Sequence, residues 1–303
     1  MKLGRREFIV RSAVGLGLGL TGCRFGTVLR RGRPGFFDPY ERVPLGKTGL
    51  TASRVSFGTG MKGSMRQSNQ TRLGKEKFES LIRAAYERGI RTFDMADLYG
   101  THEYLARALK DKDRGDYVIT TKIWWRPGGL PEEERPDADV IVSRFLKELQ
   151  TDYIDALLLH CVTSAEWPQE LREQMDILAG LKEKGIVRAH GLSCHSLGAL
   201  EAAAGEPWVD LVNARINAYG VKMDGPPEKV APVLQKLHEA GKAVVGMKLI
   251  GEGKFRDDEE KRDRSVSFVL GLGSVDVMTV GFESSDEIDD FAARVRKVPR
   301  RYA

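Results

Sequence analysis

The chain has 303 residues, 41% hydrophobic and 30% charged, enough apolar content to bury a full core as one large domain or two ordinary ones. Its formal charge is +5, but residues 1–42 hold nine cations (Lys2, Arg5, Arg6, Arg11, Arg24, Arg30, Arg31, Arg33 and Arg42) against Glu7, Asp38 and Glu41, leaving −1 for everything after Arg42. That distribution argues against a nucleic-acid-binding body, and three cysteines (Cys23, Cys161, Cys194) make no disulfide framework in so long a chain.

The start reads GRREFIVRSAVGLGLGLTGC, a charged opening, an apolar Gly-rich run and a small-residue end. The uncharged run at 12–22 falls far short of the about 20 residues a membrane span needs, so the stretch reads as a targeting segment. Arg5-Arg6 followed by Glu7-Phe8-Ile9 resembles the twin-arginine translocation motif, whose pathway exports folded proteins. Leu20-Thr21-Gly22-Cys23 resembles a bacterial lipobox, in which the cysteine is lipidated; the alternative is an ordinary cleaved signal with an incidental cysteine. These features imply a signal over 1–23 and a flexible basic linker over 24–41, rich in Arg, Gly and Pro. The implied product is exported, periplasmic or membrane-anchored through Cys23, with the export machinery as partner and membrane contact only through the lipid.

From Val43 the texture changes. VPLGKTGLTASRV carries turn residues Gly46 to Gly49 between short apolar runs and predicts a β-hairpin. After it, β-rich runs at 54–60, 92–96, 117–122, 154–160, 189–194, 211–216, 243–249 and 275–281 alternate with amphipathic helical patterns. The helices fall at 77–89, 103–112, 139–150, 171–185, 230–241 and 285–297, with weaker patterns near 197–204 and 259–270. Gly89, Gly185 and Gly241 stand where helices end.

Eight strands alternating with helices over about 250 residues predict a (β/α)8 TIM barrel over 42–303, the hairpin closing its bottom. The competitor, a doubly wound sheet with a Rossmann half, lacks support, because no strand is followed by G-x-G-x-x-G at a helix start. In such a barrel chemistry sits where strands end. The polar residues there are Asp94 and Tyr99 after the second strand, Lys122, His160, Ser193, Asn213 and Lys248. A purely structural barrel has no reason to gather Asp, Tyr, Lys and His on three consecutive strands. His160 alone reads as a structural histidine; Lys122 is the hardest to explain so, since apolar strands rarely end in an inward lysine without a partner.

From about Arg42 onward the chain resembles the aldo-keto reductases: VPLGKTGLTASRVSFGTG their hairpin and first strand, GIRTFDMADLYG the stretch with aspartate and tyrosine, VITTK the lysine strand, DALLLH the histidine strand. The resemblance implies NAD(P)H-dependent reduction of an aldehyde or ketone, with Asp94, Tyr99, Lys122 and His160 catalytic. Tyr99 would donate the proton, although an unperturbed phenol with a pKa of about 10 is poorly matched to neutral operation. Lys122, paired with Asp94, would lower that pKa, and His160 would orient the substrate oxygen. A small carbonyl compound is the expected substrate, and Trp124 and Trp125 wall the expected pocket.

The cofactor, NADPH or NADH, is expected against Ser193, Asn213, Met247, Lys248, Gly281, Glu283 and Glu287. Here the chain departs from the family: Cys194 replaces the usual Asn after Ser193, Asn213 a glutamine, and Met247 a stacking aromatic. Glu283 and Glu287 stand where many members carry cations; acids repel a 2′-phosphate and accept from a free 2′-hydroxyl, which tilts the expectation toward NADH. The rival functional reading is a cofactor-binding redox-sensor or regulatory barrel with little turnover. His160-Cys161 and Cys194-His195 raise a zinc site, but strand alternation sends each pair to opposite faces, and no metal is expected.

Overall fold

The computed structural model describes residues 35–300; the signal expected over 1–23, with Cys23, and the first part of the linker lie outside them. The strands are β1 (Arg42–Pro44), β2 (Thr51–Ser53), β3 (Val55–Gly58), β4 (Thr92–Asp94), β5 (Val118–Ile123), β6 (Ile154–Val162), β7 (Val187–Cys194), β8 (Leu211–Arg215), β9 (Ala243–Met247) and β10 (Val277–Gly281). β1 and β2 pair antiparallel, with Val43 opposite Ala52. The other eight close into a parallel barrel in chain order, β10 returning to β3 with Met278 opposite Val55. Helices separate successive barrel strands, so the fold is the (β/α)8 barrel that the alternation predicts.

Strand periodicity explains where chemistry can sit. Alternate residues share a face, and on β5, β6 and β8 one face runs Val118-Thr120-Lys122, Ala156-Leu158-His160 and Leu211-Asn213-Arg215, from apolar to polar. The apolar ends, among them Val118, Ala156, Leu158, Leu211 and Val277, form one buried cluster with Val43, Leu45, Leu50 and Ala52 of the hairpin. The hairpin thus plugs the N-terminal mouth of the barrel. The opposite strand faces, including Phe57, Phe93, Ile119 and Leu157, pack with the helices in the larger core. Helix Lys75–Arg88 joins it through Phe78, Leu81, Ile82, Ala85 and Tyr86, an i, i+3, i+4 stripe. Only the C-terminal mouth is left polar.

The two weak helical patterns are helices Leu197–Gly205 and Glu259–Gly271. Each is started by a side chain: Ser196 Oγ accepts from the Ala199 N–H at 3.0 Å, and Asp258 Oδ1 from the Lys261 N–H at 2.9 Å. The helix predicted over 103–112 is shorter, His102–Ala108. One expectation is corrected: the linker read over 24–41 does not run free in its described end. Phe36 bridges Pro299, the Phe37 N–H donates to the Val298 carbonyl at 3.2 Å, and Arg54 and Arg300 both lie over the Phe37 ring. The aromatic pair, lying among Arg, Gly and Pro, is what ties this segment down. Among the described residues no helix is long and apolar enough to cross a membrane.

Candidate active site

Asp94 ends β4, Lys122 lies near the end of β5 and His160 near the end of β6, while Tyr99 closes a short 3-10 turn, Asp97–Tyr99. Lys122 is 1% exposed, and its ammonium is fully bonded: Nζ donates to Asp94 Oδ1 at 2.7 Å, Asp94 Oδ2 at 2.8 Å and the Met95 carbonyl at 2.7 Å. The same nitrogen lies 5.2 Å from the centroid of the Tyr99 ring. The Tyr99 hydroxyl is 3.2 Å from His160 Nε2, and His160 is buried with Nδ1 unpartnered.

The tyrosine is held from two sides. Its turn is anchored by Asp97, buried and bonded to Arg66 Nε at 3.0 Å and to Arg144. Its ring is embraced by the loop after β3, where a Cβ on Gly60 would lie 2.2 Å from the ring and one on Gly63 2.4 Å from it. Only glycine permits that approach.

The electrostatics differ from the expectation. Burial, with Asp94 and Cys161 adding to it, holds the Tyr99 hydroxyl well above the usual phenol range. Lys122 gives its hydrogens to Asp94 and Met95 rather than to the hydroxyl, and burial outweighs its charge. Burial, then Lys122, His195 and Lys248, push His160 well below the usual imidazole range. The phenol stays protonated and the imidazole neutral through the physiological range.

A cleft opens beside Tyr99. Met247, Lys248, Gly281 and Glu287 line it together with Asp94 and Tyr99. Glu283 adjoins through Arg256, bonding it at 2.9 Å, and Glu287 bonds the same guanidinium. All four oxygens of these acids have partners, since Glu283 also accepts from Asn69 at 2.7 Å and Glu287 from the Glu283 N–H at 2.7 Å. Ser193 and Asn213 are not in the cleft's lining. Ser193 Oγ accepts from the Cys161 N–H at 3.0 Å, and Asn213, fully buried, donates across the barrel to Asp94 at 3.0 Å with its own Oδ1 unpartnered. These contacts brace the site from within the barrel. Lys248 bonds Glu252 at 2.6 Å.

Trp124 meets His160 edge-to-face at 5.4 Å, and Trp125 Nε1 donates to the His160 carbonyl at 2.8 Å. Strand alternation fails at β6. Its pairing shifts between Leu159 and Val162, Cys161 adopts φ 57°, and its Sγ comes 3.4 Å from His195 Nε2. Among the described residues no group of three or more His, Cys, Asp or Glu is arranged to hold a metal ion. Sequence reasoning missed Arg256 and the adjoining pocket it lines with Lys62, Lys222, Glu252 and Lys254; GEGKFRD after the seventh strand was the signal. It also missed Asp97.

A family model described as the aldo/keto reductase family matches residues 54–272. Aldo-keto reductase YhdN of Bacillus subtilis (strain 168) is 32% identical over 168 residues, covering 52% of this chain and 48% of its own length. An NADH-specific methylglyoxal reductase of Escherichia coli (strain K12) is 30% identical over 171 residues, 50% of this chain and 51% of its own. The chain thus spans about half the length of these two curated relatives. The solved structure of aldo-keto reductase AKR11C1 from Bacillus halodurans, in its holo form, superposes with a TM-score of 0.68 at 20% identity, covering 86% of this chain and 93% of that one. At that identity the likeness speaks for the fold.

Proposed function

The chain belongs to the aldo/keto reductase family, and from that premise we propose that it reduces an aldehyde or ketone to an alcohol with NADPH or NADH, Tyr99 giving the proton. One observation carries the reading: Tyr99, whose hydroxyl is 3.2 Å from the buried His160 ring, lines the same cleft as Met247, Lys248 and Gly281.

His160 Nδ1 has no partner, and a buried N–H without an acceptor is rarer and costlier than a bare lone pair. We assign the proton to Nε2, which donates to the Tyr99 oxygen and leaves the phenolic hydrogen free for the cleft. A phenol kept protonated by burial is a standing acid for a carbonyl oxygen. Lys122, 5.2 Å from the ring centroid, stabilises the phenolate that the transfer leaves. Asp94 and Asn213 fix that lysine in turn.

The cleft fits a nicotinamide dinucleotide. It is apolar around Met247, Leu249, Val280 and Phe282, and the pocket adjoining it at Met61, Gly253 and Arg256 carries Lys62, Lys222 and Lys254, matching a flat ring joined to a diphosphate. When bound, the nicotinamide supplies the hydride. Glu283 and Glu287 leave one negative charge in excess of Arg256, which opposes a 2′-phosphate and favours NADH. Fluorescence titration with both cofactors tests this preference: NADPH bound much the tighter contradicts it. Oxidation of either cofactor over a panel of aldehydes and ketones tests the activity. Tight cofactor binding with no turnover would favour the sensor reading instead.

The leader supports a location. Arg5-Arg6 and Leu20-Thr21-Gly22-Cys23 favour export of the folded, cofactor-loaded barrel and a lipid anchor on Cys23. Cell fractionation of Arg5→Lys/Arg6→Lys, with mass analysis of the mature N-terminus, tests both; unchanged location or an unmodified Cys23 contradicts the respective part.

A further inference from the structure

The loop after β5 folds over the end of β6. Trp125 donates to the His160 carbonyl, and Arg126 Nη1 donates to the next carbonyl, that of Cys161, at 3.0 Å. The Arg126 guanidinium is therefore held on the carbonyl that follows His160 in the chain, and the His160 ring contacts Tyr99. Among the described residues that single hydrogen bond is its only polar contact, and it has no carboxylate partner. A guanidinium carries five N–H donors, so most of its donor set is free.

The charges around it do not cancel it. Lys122 is paired with Asp94, Arg215 with Asp224, and Lys248 with Glu252. Cys161 and His195, in contact at 3.4 Å, stay neutral: burial pushes the thiol up to about 11 and the imidazole down to about 3. The rim beside His160 thus carries one uncompensated positive charge, held on a partly buried, hydrogen-bonded side chain. A partly buried guanidinium with open N–H pairs is matched by a carboxylate, which it can bind through two parallel bonds.

We propose that Arg126 is a specificity-determining residue and that the substrate is a carbonyl compound bearing a carboxylate. This rests on the reductase reading above. Arg126 takes the carboxylate, Trp124 packs on the chain between, and the carbonyl oxygen reaches Tyr99. Arg126 takes no part in proton or hydride transfer.

The test compares 4-oxobutanoate with its methyl ester, equal in carbonyl chemistry and different in charge. Wild type should show a kcat/KM for the acid at least about tenfold above that for the ester, carried by KM. Arg126→Met should bring the ratio near one, and Arg126→Lys should restore part of it. A wild-type ratio near one, or a ratio unchanged in Arg126→Met, overturns the assignment and leaves the reductase reading standing. If no carbonyl compound is turned over, the reductase reading fails on its own. Quenching of Trp124 and Trp125 fluorescence by succinate then decides: quenching in wild type that is lost in Arg126→Met upholds the carboxylate site, and its absence in wild type overturns it.

Discussion

Lys122 gives Asp94 two short hydrogen bonds, 2.7 and 2.8 Å, and gives the hydroxyl of Tyr99 none. Its third hydrogen goes to the Met95 carbonyl. The lysine therefore acts on the tyrosine by its charge beside the ring, with no hydrogen bond to the hydroxyl.

This arrangement sets the pH dependence. With Tyr99 held above the usual phenol range and His160 below the usual imidazole range, neither changes charge near neutrality. Reduction, followed as kcat/KM, should be level across the whole range from about pH 6.5 to about 10, falling only well above it as Tyr99 loses its proton and well below it as His160 gains one. An inflection near pH 7 to 8 would point to a lysine-lowered phenol.

Removing one partner of the buried pair should cost more than removing both. Lys122→Met leaves Asp94 buried with Asn213 as its remaining side-chain donor among the described residues and should destabilise by about 3–5 kcal/mol. Lys122→Met with Asp94→Leu should recover part of that loss while remaining inactive. Denaturant melts read the first and turnover the second; a double variant as unstable as the sum of the singles contradicts the pairing.

The loop around Tyr99 should tolerate no side chain. In Gly60→Ala the new Cβ meets the ring at 2.2 Å, so either the ring or the loop must move. A drop in kcat of tenfold or more, with a melting temperature close to wild type, is expected. Full activity would mean that the ring's position is not needed.

Glu148 links the outer helix to the site. It bonds His102 Nδ1 at 2.7 Å and Arg144 at 2.8 Å, and Arg144 holds Asp97, two residues before Tyr99. Burial raises its pKa, but these partners outweigh it and bring the carboxyl down to about 2. A carboxyl depressed on folding stabilises above its unfolded pKa and loses that contribution as pH falls through the folded one. Glu148→Gln should therefore cost up to about 3 kcal/mol at pH 7, the gap to wild type closing between about pH 4.5 and 2. Urea melts across that range read it; a gap independent of pH contradicts it.

Much of this was legible in the chain. Period-two alternation points Lys122 and His160 into the barrel as soon as their strands are recognised, and chain order puts Asp94 and Tyr99 beside them. Three things were not. Asn213 bonds Asp94 from the far side of the barrel, a pairing that no local pattern encodes. Cys161 reaches His195 because β6 is bulged, and alternation predicts the opposite. The acids Glu283 and Glu287 read as free acceptors until Arg256, on another loop, is seen to occupy them. The helices at 197–204 and 259–270 were faint in periodicity, yet their caps, Ser196 and Asp258, stood in the sequence.

The central claim is that Tyr99 is the proton donor, and Tyr99→Phe tests it most directly. The variant keeps the ring against Gly60, Gly63 and Lys122 and removes only the hydroxyl. Cofactor affinity should stay near wild type while kcat for carbonyl reduction falls by at least about a hundredfold. Reduction at the wild-type rate in Tyr99→Phe would contradict the account.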